Sequence, residues 1–286
     1  MLVDKFLEAT PESPKQIVSF GAGTDTRFFR LQDVYSDIKF IYHEIDFAAN
    51  TAAKLSCIQR HLPLYSKLTS SSTSAKLSLP PGATSYHSET YNLHALDLRT
   101  LASSPGSTPP QPLPNLDPNI PTLLLSEMCL IYLEPSTVSA ILSTFLKTYL
   151  RETTPAALIL YEPILPHDAF GHTMTSNLAS RNIYLPTLSS YPTLAHQRER
   201  LKNEGFVDGN MAADINFIWR EWIHDDEKER VADLEMLDEL EELELLLKHY
   251  CIAWGWRDCE VGKEGIFARA WDDVPEQTDV GGNDLN

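Results

Sequence analysis

Gln16-Ile17-Val18-Ser19-Phe20-Gly21-Ala22-Gly23 decides the fold. A short apolar run that stops on two glycines reads as a buried strand ending in a tight turn. Outward from it, residues 40–46 form a second strand and residues 48–60 a helix. Residues 91–99 give a third strand with a polar end. Residues 121–127 are an apolar run of the kind buried on both faces of a sheet. A helix over 135–150 follows, with proline in its first turn, and then a strand over 156–161. Strands alternating with helices predict a Rossmann-like α/β chain whose mostly parallel central sheet is flanked by helices.

With 286 residues the chain is expected to form one domain over 1–271. Loop inserts are expected near 66–79, rich in Ser, Thr and Lys, and near 103–121, rich in Pro, Ser and Asn. The polar, acidic stretch 272–286 reads as a disordered tail. Across 226–250, Val231, Leu234, Leu237, Leu240, Leu243 and Leu247 recur at helical intervals. That pattern predicts one long helix, broken at most once, with its apolar side in the core and its acids in solvent. A partner-binding face is the alternative.

Forty acids against 23 Lys plus Arg give a net charge of -17, which disfavours nucleic-acid partners. Cys57, Cys129, Cys251 and Cys259 have no C-x-x-C spacing, so a reducing, cytoplasmic setting is expected. The start lacks a secretion signal, and no apolar run is long enough to span a membrane. The nine histidines suggest no metal set. His167 and His172, five apart, cannot share a helical face. Ser126 lacks the G-x-S-x-G surroundings of a hydrolase nucleophile.

The loop Gly21-Ala22-Gly23-Thr24-Asp25-Thr26 carries two glycines of a dinucleotide fingerprint but threonine in place of the third. A donor without phosphates tolerates that relaxation better than NAD does, although an ordinary turn uses the same residues. Asp46, 25 residues beyond Gly21 at the next strand's end, is placed to accept from both hydroxyls of a ribose. A helix N-cap is its competing role. Asp97 and Leu98 end the third strand, where an acid meets an adenine amino group and an apolar neighbour packs on the ring. Glu127 ends the fourth. Three acids on neighbouring strand ends, if unpaired, call for a ligand with hydroxyls, an amine and positive charge, and S-adenosylmethionine has them all.

These motifs resemble the leucine carboxyl methyltransferase family. The shared features run from residue 14 to 257. They comprise the Gln16–Gly23 strand and turn, Asp25-Thr26-Arg27-Phe28-Phe29-Arg30-Leu31, Glu44-Ile45-Asp46-Phe47 and Asp97-Leu98-Arg99. They continue with Leu125-Ser126-Glu127-Met128-Cys129-Leu130-Ile131-Tyr132, Gln197-Arg198-Glu199-Arg200-Leu201 and Lys248-His249-Tyr250-Cys251.

The resemblance implies an S-adenosylmethionine-dependent methyltransferase fold. It assigns Gly21, Asp46, Asp97, Leu98 and Glu127 to the cofactor, with S-adenosylhomocysteine as product. It also implies methyl esterification of the C-terminal leucine carboxylate of protein phosphatase 2A catalytic subunits. Such a carboxylate is already ionised, so no general base is required, and Tyr132 is placed either to hold it or merely to pack.

Family members carry an N-terminal helical segment with an arginine for the cofactor's methionine carboxylate. Residues 1–15 contain no arginine, so the expectation is either a shortened gene product or a weakened hold on the cofactor. Kelch repeats, which mark a related branch acting on a tRNA base, are absent from the sequence. Three other readings stand beside this one: a catalytically weakened phosphatase-binding module, a methyltransferase for another carboxylate, and an NAD oxidoreductase on the same fold.

Overall fold

A computed structural model describes residues 1–69, 80, 82–102, 110–234, 239–258 and 265–278. Its strands are β1 (Lys15–Phe20), β2 (Phe40–Asp46), β3 (Tyr86–His87), β4 (Tyr91–Ala95), β5 (Thr122–Glu127), β6 (Ala156–Pro163), β7 (Gly209–Asp214) and β8 (Tyr250–Arg257). They form one sheet in the order β3-β4-β2-β1-β5-β6-β8-β7. The five strands read from sequence, β1, β2, β4, β5 and β6, pair in parallel throughout. The α/β class therefore holds. β8 and β7 extend the sheet antiparallel, and neither was expected.

Successive residues on a strand face opposite sides of the sheet. Ile17, Leu123 and Leu125 enter one core with Trp254, while Val18, Phe20 and Leu124 enter the other. Both sides are covered, which is why these strands carry consecutive apolar residues rather than a strict alternation.

The first layer holds α1 (Leu2–Glu8), α2 (Arg27–Val34), α3 (Ala48–Arg60) and α4 (Leu62–Thr69). The opposite core is closed by α5 (Pro135–Thr144). Next come α6 (Ala169–Ala179), α7 (Pro186–Ser190), α8 (Leu194–Asn203), α9 (Ile215–Glu221), α10 (Asp225–Ala232), α11 (Leu240–Lys248) and α12 (Ile266–Trp271). α1 is fixed to α12 by Phe6 stacked on Phe267, ring centroids 4.8 Å apart, and by Trp271 Nε1 donating to the Leu2 carbonyl. A stacked aromatic pair contributes about 0.5–1.5 kcal/mol beyond its buried area.

Several expected boundaries move. The helix over 135–150 runs as α5 to Thr144 and then widens into one π turn, Phe145–Tyr149. The helix over 226–250 is two helices, and neither α10 nor α11 has a fully buried residue. Of the residues expected on the apolar side, Leu234 and Leu240 are exposed, Val231, Leu243 and Leu247 are half-buried and Leu237 lies outside the described residues, so the core-helix expectation fails for the described part. Pairing with Pro163 draws Tyr250 out of that helix into β8.

Of the stretch 66–79, residues up to 69 belong to α4. Residues 70–79 and 103–109 lie outside the described residues. The start of β1 holds the rest of the Pro-rich loop, because Gln16 bonds to both the amide and the carbonyl of Asp117. Residues 272–278 pack on the domain through Lys5–Asp273 and Gln277–Asp214 pairs and a buried Val274. Residues 279–286 are not described.

Two ionic clusters are buried within this frame. Glu44 on β2 meets Lys54 on α3 and, at 2.8 Å, the Tyr91 hydroxyl. Burial pushes the Glu44 carboxyl up to about 7, against the pull of Lys54. Glu162 on β6 meets Arg200 on α8 at 2.6 Å, and the Arg200 guanidinium lies 4.8 Å over the Tyr191 ring.

Candidate functional site

Parallel neighbours run outward from β1 in two directions, to β2 and β4 on one side and to β5 and β6 on the other. Open α/β sheets bind ligands beyond the carboxyl ends of the strands at such a reversal. The turn after β1 lies at that point. Gly21 and Gly23 have φ of +61° and +49°, a region that side-chain-bearing residues avoid. A Cβ on Gly21 would stand 2.6 Å from Cys129 Sγ, so only glycine lets the turn close over that thiol. The Gly21 amide donates to the Ile45 carbonyl at 2.8 Å, which docks the turn on the end of β2.

Asp46 completes this docking. One carboxylate oxygen accepts from the Gly23 amide at 2.7 Å. The other accepts from the Phe47 amide at 2.7 Å and from Asn50 Nδ2 at 2.8 Å. Phe47, not Asp46, occupies the N-cap position of α3, so Asp46 is a clamp on the glycine turn as well as a group facing the cavity.

At the end of β4, Asp97 caps the 3₁₀ turn Leu98–Leu101 by accepting from the Arg99 amide at 3.0 Å. The Arg99 guanidinium grips the same carboxylate, with one bond of 2.6 Å, and this holds the Asp97 carboxyl below its usual range. Arg99 also lies 6.0 Å over the exposed Phe47 ring.

Gly21, Gly23, Asp46, Phe47, Asn50, Asp97, Leu98 and Tyr132 line one cavity of about 500 Å³. It therefore gathers five of the six residues singled out from sequence: Gly21, Asp46, Asp97, Leu98 and Tyr132. The sixth, Glu127, faces a neighbouring cavity of about 670 Å³ with Arg27, Arg30 and Ser126. The division arises at Met128, whose φ of +50° turns the chain sharply after β5. Met128 and Cys129 swing into the first cavity and leave Glu127 facing the second.

The expectation of unpaired acids in one cleft needs correcting. Glu127 accepts from Arg27 Nη2 at 2.9 Å, Asp97 is held by Arg99, and Asp46 has three donors. Sequence reasoning did not identify Asn50, Phe47 or Arg99 as cavity residues. Arg27 is visible in the sequence only as part of the Asp25–Leu31 motif.

Cys129 sits beneath the glycine turn, and its thiol is pushed up to about 12 by burial and by the charges of Asp46 and Glu162. It is a packing thiol there, not a nucleophile. The Ser126 hydroxyl accepts from the Leu130 amide at 3.1 Å and caps the turn that presents Tyr132. Among the described residues, no three His, Cys, Asp or Glu side chains converge as metal ligands, and no helix is long and apolar enough to cross a membrane.

Residues 1–146 match the family model described as leucine carboxyl methyltransferase. The chain is 46% identical to leucine carboxyl methyltransferase 1 of Aspergillus fumigatus over 97% of its own length and 74% of that protein's. It is 49% identical to the protein of the same name from Emericella nidulans, over 92% of this chain and 69% of that protein. Its backbone is also similar to phosphoethanolamine N-methyltransferase 2 of Haemonchus contortus, solved with S-adenosyl-L-methionine. That likeness has a TM-score of 0.49 and 12% identity, over 89% of this chain and 51% of that one.

Proposed function

The chain belongs to the leucine carboxyl methyltransferase family, and from that premise we propose that it methyl-esterifies the C-terminal leucine carboxylate of protein phosphatase 2A catalytic subunits in the cytoplasm. The observation carrying the cofactor part of this reading is the cavity that Gly21, Asp46, Asp97 and Leu98 line together. Its chemistry fits an adenosine. Asp46 offers carboxylate oxygens to ribose hydroxyls. Asp97 offers an acceptor to an exocyclic amine once Arg99 yields, and Leu98 and Phe47 offer apolar surface to a purine. The volume of about 500 Å³ is in the range of small-ligand sites.

S-adenosylmethionine, when bound, supplies a sulfonium methyl to a carboxylate oxygen and leaves as S-adenosylhomocysteine. The residues around it have no proton to move, because an α-carboxyl with a pKa of about 3.5 is already an anion at neutral pH. Their work is alignment and exclusion of water, which strips solvation from the attacking oxygen. Tyr132 is 46% exposed on the rim, and in this reading it donates its hydroxyl to the acceptor carboxylate. Esterification removes one negative charge from the acceptor's tail.

The test is incubation with methyl-labelled cofactor and phosphatase 2A. Label should appear on the catalytic subunit, be released by mild base as an ester is, and vanish when the terminal leucine is deleted. A stable complex with no label would refute catalysis and favour a binding module. Label that survives the deletion would refute the acceptor.

A further inference from the structure

The leucine-rich stretch over 226–250 lines neither of the cavities described above. Its second helix, α11, carries five leucines in nine residues, although a helix resting on a globular body needs only one apolar stripe. Leu243 and Leu247, one turn apart and half-buried, supply that stripe where α11 rests on α9 and β8. Leu245 lies about 160–200° round the helix from both. It and its neighbour Leu246 are 44% and 41% exposed. Leu240 at the start of α11 and Leu234 just beyond α10 are exposed as well. Single exposed leucines are ordinary, but a helix that keeps leucines on its far side has a second apolar face without a partner.

The charges around that face are one-sided. Glu241 and Glu242 stand one turn before Leu245 and Leu246, so acids and exposed leucines share the outward surface. Glu241, Glu242 and Glu244 are exposed and form no ion pair among the described residues. On α10, by contrast, Lys228 pairs with Asp225 and Arg230 with Glu227. Residues 225–248 hold eleven acids and three Lys or Arg, so nearly half of the chain's net charge of -17 falls in this short stretch.

That charge selects the occupant. A second copy of the chain would bring the same acids to the contact and be repelled, as would nucleic acid or an anionic bilayer. A wholly apolar surface would bury the glutamates without counter-charges, which is costly. A helix with leucines on one side and Lys or Arg beside them satisfies both requirements.

We propose that the outward face of α11 docks a basic amphipathic helix of another protein. Its apolar side chains pack on Leu245 and Leu246, and its cations meet Glu241 and Glu242. The surface is separate from the cofactor cavity, so the proposal does not depend on the methyl-transfer reading.

The test is fluorescence anisotropy with the whole chain and a labelled peptide of leucine and lysine whose leucines fall on one helical face. Two control peptides are needed: one of the same composition with its leucines spread round the helix, and one with glutamate in place of lysine. The amphipathic basic peptide should bind and gain helicity, and both controls should bind about tenfold more weakly or worse. Leu245→Ser with Leu246→Ser should lower affinity by about tenfold or more. Glu241→Gln with Glu242→Gln should lower it less and flatten its salt dependence. Glu12→Gln with Asp37→Asn removes the same charge from exposed positions elsewhere and should change nothing. Every position altered is exposed, and urea unfolding verifies that each variant keeps its fold.

No binding of the amphipathic basic peptide would overturn the proposal. Equal affinity for the peptide with dispersed leucines, or equal loss with the distant pair of substitutions, would overturn it too, because either result reduces the effect to attraction by net charge. A dimer seen by light scattering and dissociated by Leu245→Ser with Leu246→Ser would assign the face to a second copy instead. Binding to zwitterionic vesicles that the same pair abolishes would assign it to lipid.

Discussion

Replacing Gly21 by alanine probes the turn on which the proposed cofactor cavity is built. Two penalties add. The left-handed backbone, φ +61°, costs a side-chain-bearing residue about 1–2 kcal/mol. The new methyl meets Cys129 Sγ at 2.6 Å and its Cβ at 3.0 Å. Cys129 cannot simply withdraw, because the preceding Met128 amide is tied to the Tyr161 carbonyl at 3.0 Å. Overpacking of this kind costs about 1–3 kcal/mol. The sum is about 2–5 kcal/mol in urea unfolding, with a parallel loss of S-adenosylhomocysteine binding as the turn shifts.

A double-mutant cycle separates the two penalties. Cys129→Ala removes Sγ and should recover most of the packing part but none of the backbone part. Independent sites add within about 0.3–0.5 kcal/mol, so a coupling of about 1 kcal/mol or more is resolvable. A Gly21→Ala cost below about 0.5 kcal/mol, or additive single and double variants, would refute the claim that this turn is closed against Cys129.

Two further predictions concern buried charge. Arg200→Met should destabilise the protein by about 3–5 kcal/mol, because it strands Glu162 without a cation, while Arg200→Met combined with Glu162→Met should regain most of that in the same unfolding assay. Burial, reinforced by neighbouring histidines, lowers both His43 and His94 to about 3, so from pH 6.5 downward the unfolded chain takes protons that the folded one refuses. Stability held above 6.5 should therefore be lost on acidification, by up to about 1.4 kcal/mol per pH unit for each ring. Glu44, raised to about 7, opposes this between 4.5 and 7. Comparing urea unfolding at pH 5 and 6.5 with a His43→Gln, His94→Gln variant checks the sign, and equal slopes would refute it.

The parallel strands were legible where burial on both faces leaves short apolar runs, as in Ile17-Val18 and Leu123 to Leu125. β7 was not, since Gly-Asn-Met-Ala-Ala-Asp carries almost no β preference and is a strand only because β8 pairs with it. β8 had a readable signal in the alternation of Trp254 and Trp256, which enter one core, with Ala253, which enters the other. The leucine spacing that precedes it concealed where the helix ends. The buried Glu44–Lys54 pair was not legible, because a charge declares its burial only through its partner, and ten residues separate these two. The acids of the site were found from their places at strand ends. Their counter-charges Arg27 and Arg99 were not, because each is set by a local turn geometry that strand-level reading does not resolve.

That omission matters for how the site binds. Acids on neighbouring strand tips suggest a trap of bare negative charge awaiting a cation, but such a trap would repel itself and destabilise the fold. The chain instead brings each acid with a partner: the glycine turn for Asp46, Arg99 for Asp97 and Arg27 for Glu127. Binding is then an exchange of hydrogen bonds rather than a filling of vacant ones, and each exchange yields only a small net free energy. On the proposed adenosine reading, affinity would come chiefly from burying the purine against Leu98 and Phe47, and selectivity from whether a ligand can replace every bond it displaces.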